Sequence, residues 1–143
     1  MNRMYNANAD GYCGDEDNGQ TSAWYVFSAM GFYPVCPGSD QYILGTPFFR
    51  DMVLHLENGN DVTISAPANS DKNRYVQKLQ LNGNEYGKNY VNHSDLIKGA
   101  KMDFVMSSEP NTNRGVNEES FPYSFSKEYK LPEKSKKTKK SKR

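Results

Sequence analysis

The chain has 143 residues, 36% of them hydrophobic, with a mean hydropathy of −0.89; that is room for one ordinary domain but little apolar material for a self-sufficient core. No run is long and apolar enough to cross a membrane as a helix, and residues 1–6 lead into no apolar stretch, so neither a spanning helix nor a signal peptide is expected within the chain. The net charge of +1 hides an asymmetry: from residue 127 onward there are nine basic and two acidic residues, a local charge of +7, which leaves −6 on residues 1–126. The body is mildly acidic, and the basicity lies in a tail.

Residues 1–12 read as the end of a helix and its exit loop, because Met4 and Tyr5 are apolar while Asn8, Asp10 and Gly11 break regular structure. The next stretch organises the rest: Gly14-Asp15-Glu16-Asp17-Asn18-Gly19 places three consecutive carboxylates between two glycines. They stand directly ahead of a run whose apolar residues Ala23, Phe27 and Met30 recur at helical spacing, so the acids lie on the turn that feeds a helix N-terminus. Acids there can cap free backbone N–H groups and complement the helix dipole. Capping accounts for one or two of them, but not for the pairing of Asp15 with Asp17, which at a spacing of two point to the same side and can converge on one water.

Gln20–Met30 is the expected helix, closed by Gly31, with Pro34 and Pro37 forbidding its continuation. Its apolar residues occupy nearly every side, the pattern of a helix buried all round. Trp24, Tyr25, Phe27, Phe32 and Tyr33 are read as core, with a sugar-stacking platform as the alternative. Cys13 and Cys36 flank this helix, whose length of about 15 Å exceeds the roughly 7 Å a disulfide allows between Cα atoms, so two separate thiols are expected. With no further cysteine pair and two histidines, no zinc site is expected. An EF-hand counted from Asp15 would need Gly and Glu where Gln20 and Val26 stand, so that calcium loop fails on spacing, and a looser calcium contact by one of these acids stays open.

From Tyr42 the period changes to two. Met52, Leu54 and Leu56, the turn dipeptide Asn58-Gly59, then Val62, Ile64 and Ala66 predict a β-hairpin. Tyr75–Leu81 is a third strand, Asn82-Gly83 a second turn, residues 94–99 one capped helical turn and residues 102–106 a last strand. His55 is read as a solvated strand residue and His93 as a neighbour of the cap. Asn92-His93-Ser94 fits the glycosylation pattern, a short match that is frequent by chance. Residues 109–120 are polar and turn-rich, the Phe121-Pro122-Tyr123-Ser124-Phe125 segment is able to dock locally, and residues 134–143 contain only Lys, Arg, Ser and Thr. A disordered Lys-rich tail over 107–143 is expected.

A set of motifs in one order carries a resemblance: Gly14-Asp15-Glu16-Asp17-Asn18-Gly19-Gln20, Ser22-Ala23-Trp24-Tyr25-Val26, Gly31-Phe32-Tyr33-Pro34-Val35, Gly45-Thr46-Pro47-Phe48-Phe49, Ala66-Pro67-Ala68-Asn69-Ser70 and Asn92-His93-Ser94-Asp95-Leu96. Over about residues 1–106 the chain resembles the C-terminal portion of glycoside hydrolase family 92, calcium-dependent exo-acting α-mannosidases that invert the anomeric centre. The resemblance implies an α+β fragment. Residues 1–39 would be the last helical part of an (α/α)6 catalytic barrel, and residues 40–106 a C-terminal antiparallel β segment packed on an N-terminal β-sandwich domain outside the chain.

The resemblance also implies roles. Inverting glycosidases pair a general acid with a base about 6.5–9.5 Å away that activates water. Carried over by position, Asp17 is the base and Asp15 its partner in positioning the water, while Glu16, Gln20 and Trp24 support the loop or line the pocket. Alternation turns Glu16 away from the other two acids, toward a structural role. The general acid and the main calcium ligands would lie upstream, so the chain alone is expected to be inactive. Its implied partners are α-mannoside glycans and the missing N-terminal portion, with neither membrane nor nucleic acid, and the parent enzyme would be periplasmic, cell-surface or secreted. Two alternatives stand beside this one: a carbohydrate-binding β module using Tyr75, Tyr86 and Tyr90, and an anionic-surface or nucleic-acid contact through the Lys tail.

Overall fold

The computed structural model describes residue 1 and residues 3–128. A 3-10 turn, Asp17–Gly19, leads into helix α1, Gln20–Met30. Gly31 ends the helix in a left-handed conformation (φ +88°), its N–H turned back to the Phe27 and Ser28 carbonyls. No side chain fits there, since a Cβ would stand 2.7 Å from the Pro47 nitrogen. That close approach lets Gly45 N–H reach the Gly31 carbonyl (2.7 Å) and Phe48 N–H the Ala29 carbonyl (2.9 Å), which fastens the end of α1 to the following loop.

Two sheets follow. Strands β1 (Phe32–Tyr33) and β2 (Gln41–Leu44) pair antiparallel. A five-stranded sheet takes β3 (Asp51–His55), β4 (Asp61–Ser65), β5 (Tyr75–Leu81) and β6 (Asn84–Glu85), with turns at Asn58-Gly59 and Asn82-Gly83 where the sequence places them. Strand β7 (Tyr90–Asn92) returns to pair with β2, the short helix α2 (His93–Leu96) follows, and β8 (Ala100–Ser107) enters the middle of the larger sheet. The strand orders are β1-β2-β7 and β3-β4-β8-β5-β6. Beyond β8 come a 3-10 turn at Glu118–Ser120 and helix α3, Phe125–Glu128.

Period-two alternation sets the core. Along β8, Ala100, Met102, Phe104 and Met106 are buried while the residues between them face outward, and Val62, Ile64 and Leu79 meet them from the neighbouring strands. Met30, Phe32 and Val91 join the same cluster, so one core runs from the end of α1 through both sheets. The boundary read at residues 39 and 40 therefore falls inside a paired structure, with β1 on one side and β2 on the other.

Several expectations need correction. The sequence suggests four antiparallel strands; among the described residues there are eight in two sheets, and β4 and β8 run parallel because β8 inserts between the β3–β4 and β5–β6 hairpins. Helix α1 is not buried all round: only Ala29 and Met30 are, whereas Val26 is 55% exposed and Trp24 37%. Among the described residues of 1–12 there is no helix; Met4 and Tyr5 N–H both donate to the Met1 carbonyl, and Asn6 N–H donates to the Gly11 carbonyl.

The first part of the expected disordered tail is packed. Arg114 donates to the Tyr86 and Lys88 carbonyls (3.3 and 3.0 Å) and to Asn89 Oδ1 (3.2 Å), Asn89 N–H donates to the Ser120 carbonyl (2.9 Å), and Asn111 Nδ2 reaches the Gln77 carbonyl (3.0 Å). Such local polar anchoring has no hydrophobic period to announce it. The Lys-rich run expected to be disordered at 134–143 lies outside the described residues. Cys13 and Cys36 are free thiols.

Candidate active site

The loop before α1 gives its three acids different surroundings. Glu16 is part-buried, and its carboxylate accepts from the Ser22 backbone N–H (3.0 Å to Oε2, 3.3 Å to Oε1) and from the Ser22 hydroxyl. It thereby satisfies a free donor of the first helical turn from three residues ahead of the Gly19 cap. Asp15 and Asp17 are exposed, and neither carboxylate is hydrogen-bonded or ion-paired among the described residues. Asp17 opens the 3-10 turn, and Gln20, the first residue of α1, is exposed beside it.

Trp24 lies one turn further along α1. Its indole stacks on Tyr5, ring centroids 5.7 Å apart and planes 9° from parallel, and Tyr5 also touches Tyr25 (5.1 Å) and Tyr12 (6.2 Å, edge to face). The Tyr5 hydroxyl donates to the Thr21 carbonyl (3.0 Å), which ties residues 1–12 to the helix. Desolvation first, then the Cys13 thiol, hold the Tyr5 phenol above its ordinary pKa. Between these rings and the helix opens a cleft of about 480 Å³, lined by Tyr5, Asn6, Asn8, Tyr12, Ser22 and Tyr25. The aromatic row of the sequence thus divides. Phe27 and Phe32 turn inward to Tyr42 (5.7 and 5.3 Å), while Trp24 and Tyr25 belong to the cluster around Tyr5.

Tyr5, Tyr12 and Ser22 escape sequence reasoning as members of this site. Tyr5 and Tyr12 reach it only because residues 1–12 fold back, and Ser22 is an ordinary helix residue until Glu16 is seen against it. Each histidine has a partner that the sequence does not reveal: His55 Nδ1 lies 2.8 Å from Asp61 Oδ1 and His93 Nδ1 3.0 Å from the Tyr42 hydroxyl, both at the surface. Among the described residues no group of three or more His, Cys, Asp or Glu side chains is arranged to hold a metal ion. Of the three tyrosines considered for a β module, only Tyr75 is exposed; Tyr86 and Tyr90 are part-buried, and desolvation pushes the Tyr86 phenol up to about 12.

Comparison with known proteins bears on what this arrangement does. The model of the glycosyl hydrolase family 92 catalytic domain matches residues 1–108. A curated relative, an uncharacterized secreted glycosidase of Arthroderma benhamiae, is 30% identical over 108 residues, 73% of this chain and 14% of that protein. Among solved structures, the GH92 inverting mannosidase BT2199 of Bacteroides thetaiotaomicron is 51% identical with a TM-score of 0.80, covering 88% of this chain and 17% of its own. The GH92 α-mannosidase BT3965 of the same organism is 40% identical with a TM-score of 0.82, covering 87% of this chain and 17% of its own. The chain therefore spans 14–17% of the length of these relatives. With the family's catalytic-domain model covering three quarters of it, and the loop of three acids inside the matched part, the chain belongs to glycosyl hydrolase family 92.

Proposed function

We propose that the chain is the C-terminal part of an inverting, calcium-dependent exo-α-mannosidase that removes terminal α-mannose from glycans, and that it contributes the general-base loop. One observation carries this reading: in a chain 51% identical to an inverting mannosidase, the fold engages Glu16 internally and leaves Asp15 and Asp17 exposed on the same short loop. Asp17 is the base. It takes a proton from water as the oxygen attacks the anomeric carbon on the face opposite the leaving group, and Asp15 accepts a hydrogen bond from that water and orients it.

Gln20 and Trp24 stand on the helix behind the loop, where an amide and an aromatic face suit the hydroxyls and C–H surface of a pyranose. The proton for the departing oxygen comes from a carboxylic acid outside this chain, so the chain alone is inactive. Among the described residues no group of three or more acidic, His or Cys side chains is arranged to hold calcium, so its main ligands would come from the rest of the enzyme, and the chemistry it would supply is Lewis-acid polarisation and a template for the sugar. The exposed side of α1 at Val26 is the face that meets the remainder of an (α/α)6 barrel, and the β segment packs on the enzyme's β-sandwich domain. The parent enzyme is secreted, cell-surface or periplasmic.

The test is Asp17→Asn in the intact enzyme. The carboxylate is exposed and outside the core, so the variant keeps its melting temperature while turnover falls by about 10²- to 10⁴-fold, the contribution of a general base. Wild-type turnover in this variant refutes the assignment.

A further inference from the structure

Between Asp17 and α1 the backbone passes through two successive left-handed residues, Asn18 (φ +58°) and Gly19 (φ +74°). Asparagine and glycine are the residues that tolerate this conformation best, and neither is confined to it, so the direction of the turn is set by what its surroundings hold. Here the two ends of the turn are tied together. Gly19 N–H donates to the Glu16 carbonyl (2.9 Å), the Ser22 hydroxyl faces both the Glu16 carboxylate and the Gly19 carbonyl (3.2 Å to the latter), and the Ser22 N–H donates to the Glu16 carboxylate at 3.0 Å. The hydroxyl and the backbone N–H of one residue thus bind one carboxylate across the turn. Asp17 lies inside this ring, next to Glu16 and directly before the first left-handed residue.

Without the ring, Asn18 is free to exchange between left-handed, helical and extended backbone, and each change turns the Cα–Cβ bond of Asp17 to another direction relative to α1. Ser22 also lines the cleft between Tyr5 and Tyr25, so the ring joins the acid loop to the wall of that cleft.

We propose that Ser22 and Glu16 are positioning residues that aim Asp17 by locking the left-handed turn behind it, an inference that rests on the reading of Asp17 as the base. Glu16 spends its charge on Ser22 and does no chemistry. The consequence is energetic coupling: Ser22 matters to turnover only while residue 17 is a carboxylate.

The experiment is a double-mutant cycle in the intact enzyme with an activated aryl α-mannoside, whose good leaving group keeps the rates of weak variants measurable. Ser22→Ala is expected to lower kcat about ten- to hundredfold with KM within about twofold, the cost of misaiming a reacting group. Ser22→Thr, which keeps the hydroxyl, recovers most of the loss. In the Asp17→Asn background the same Ser22→Ala change alters kcat by less than about twofold, because no base remains to be aimed. Glu16→Gln, which keeps an acceptor for the Ser22 N–H and so preserves the helix start, supplies a second arm with the same non-additivity.

Wild-type kcat in Ser22→Ala, or the same factor in both backgrounds, overturns the positioning role and leaves the base intact. Full activity in Asp17→Asn overturns the base reading and this proposal with it.

Discussion

Replacing Gly31 with alanine tests how α1 is fastened to the sheets. Two costs can be separated. Alanine at φ +88° costs about 1–2 kcal/mol in left-handed strain. Its Cβ would also stand 2.7 Å from the Pro47 nitrogen, 2.9 Å from its Cδ and 3.0 Å from its Cα, all atoms of backbone or ring that cannot swing aside. Overpacking of this kind costs about 1–3 kcal/mol. The backbone shift that relieves it strains the Gly45 to Gly31 and Phe48 to Ala29 hydrogen bonds. The expected total is about 2–5 kcal/mol, summed from the strain and the overpacking.

Gly38→Ala is the internal control: its φ is +81°, but nothing lies within 4 Å of the added carbon, so only the strain of about 1–2 kcal/mol applies. Urea denaturation of the chain, followed both by the fluorescence of its single tryptophan and by far-ultraviolet circular dichroism, measures the difference. Equal costs for the two alanines would show that Pro47 does not press on Gly31, and the docking of α1 described above would be wrong.

Arg114→Ala removes the three hydrogen bonds to Tyr86, Lys88 and Asn89 and is expected to lower stability by about 2–3 kcal/mol and expose residues 108–128 to limited proteolysis. An unchanged cleavage pattern would contradict the packed strap. The Asp40 carboxyl is held below its usual value of 3.8, chiefly by the hydrogen bond from the Ser94 hydroxyl (2.7 Å). Because the folded value is the lower one, the contribution of this group is complete above the unfolded value and is lost as pH falls through the folded one. Asp40→Asn therefore lowers stability at neutral pH and flattens its fall below about pH 4. A steeper acid loss in the variant would reverse the sign of the argument.

Which parts of the molecule are legible in the sequence follows from the range of the forces involved. Helix α1, β5 and the turns at Asn58-Gly59 and Asn82-Gly83 are set by local period and by residues with special backbone freedom, and they stand where the sequence places them. Strands β1, β2 and β7 have two to four residues each, too short to show a period, and they exist because they pair with one another. The parallel pairing of β4 with β8 joins segments almost forty residues apart and is written in no local pattern.

The acid loop was conspicuous as three charges between two glycines, yet the different surroundings of those charges depended on Ser22, six residues past Glu16. The burial forecast for α1 went astray for a related reason. A helix apolar on most sides signals burial, but among the described residues Trp24 has only the Tyr5 ring against one face and Val26 stays 55% exposed.

The central claim is that this chain holds the base half of a mannosidase active site, and the most direct measurement is hydrolysis of an activated α-mannoside and of α-mannobiosides. The chain is assayed alone and after mixing with the remaining portion of the enzyme, each with calcium and with a chelator. The account predicts no turnover by the chain alone, turnover on mixing, its loss with chelator, and a β-configured first product observed by NMR. Turnover by the isolated chain, or none from a mixture shown to be folded and assembled, would contradict it.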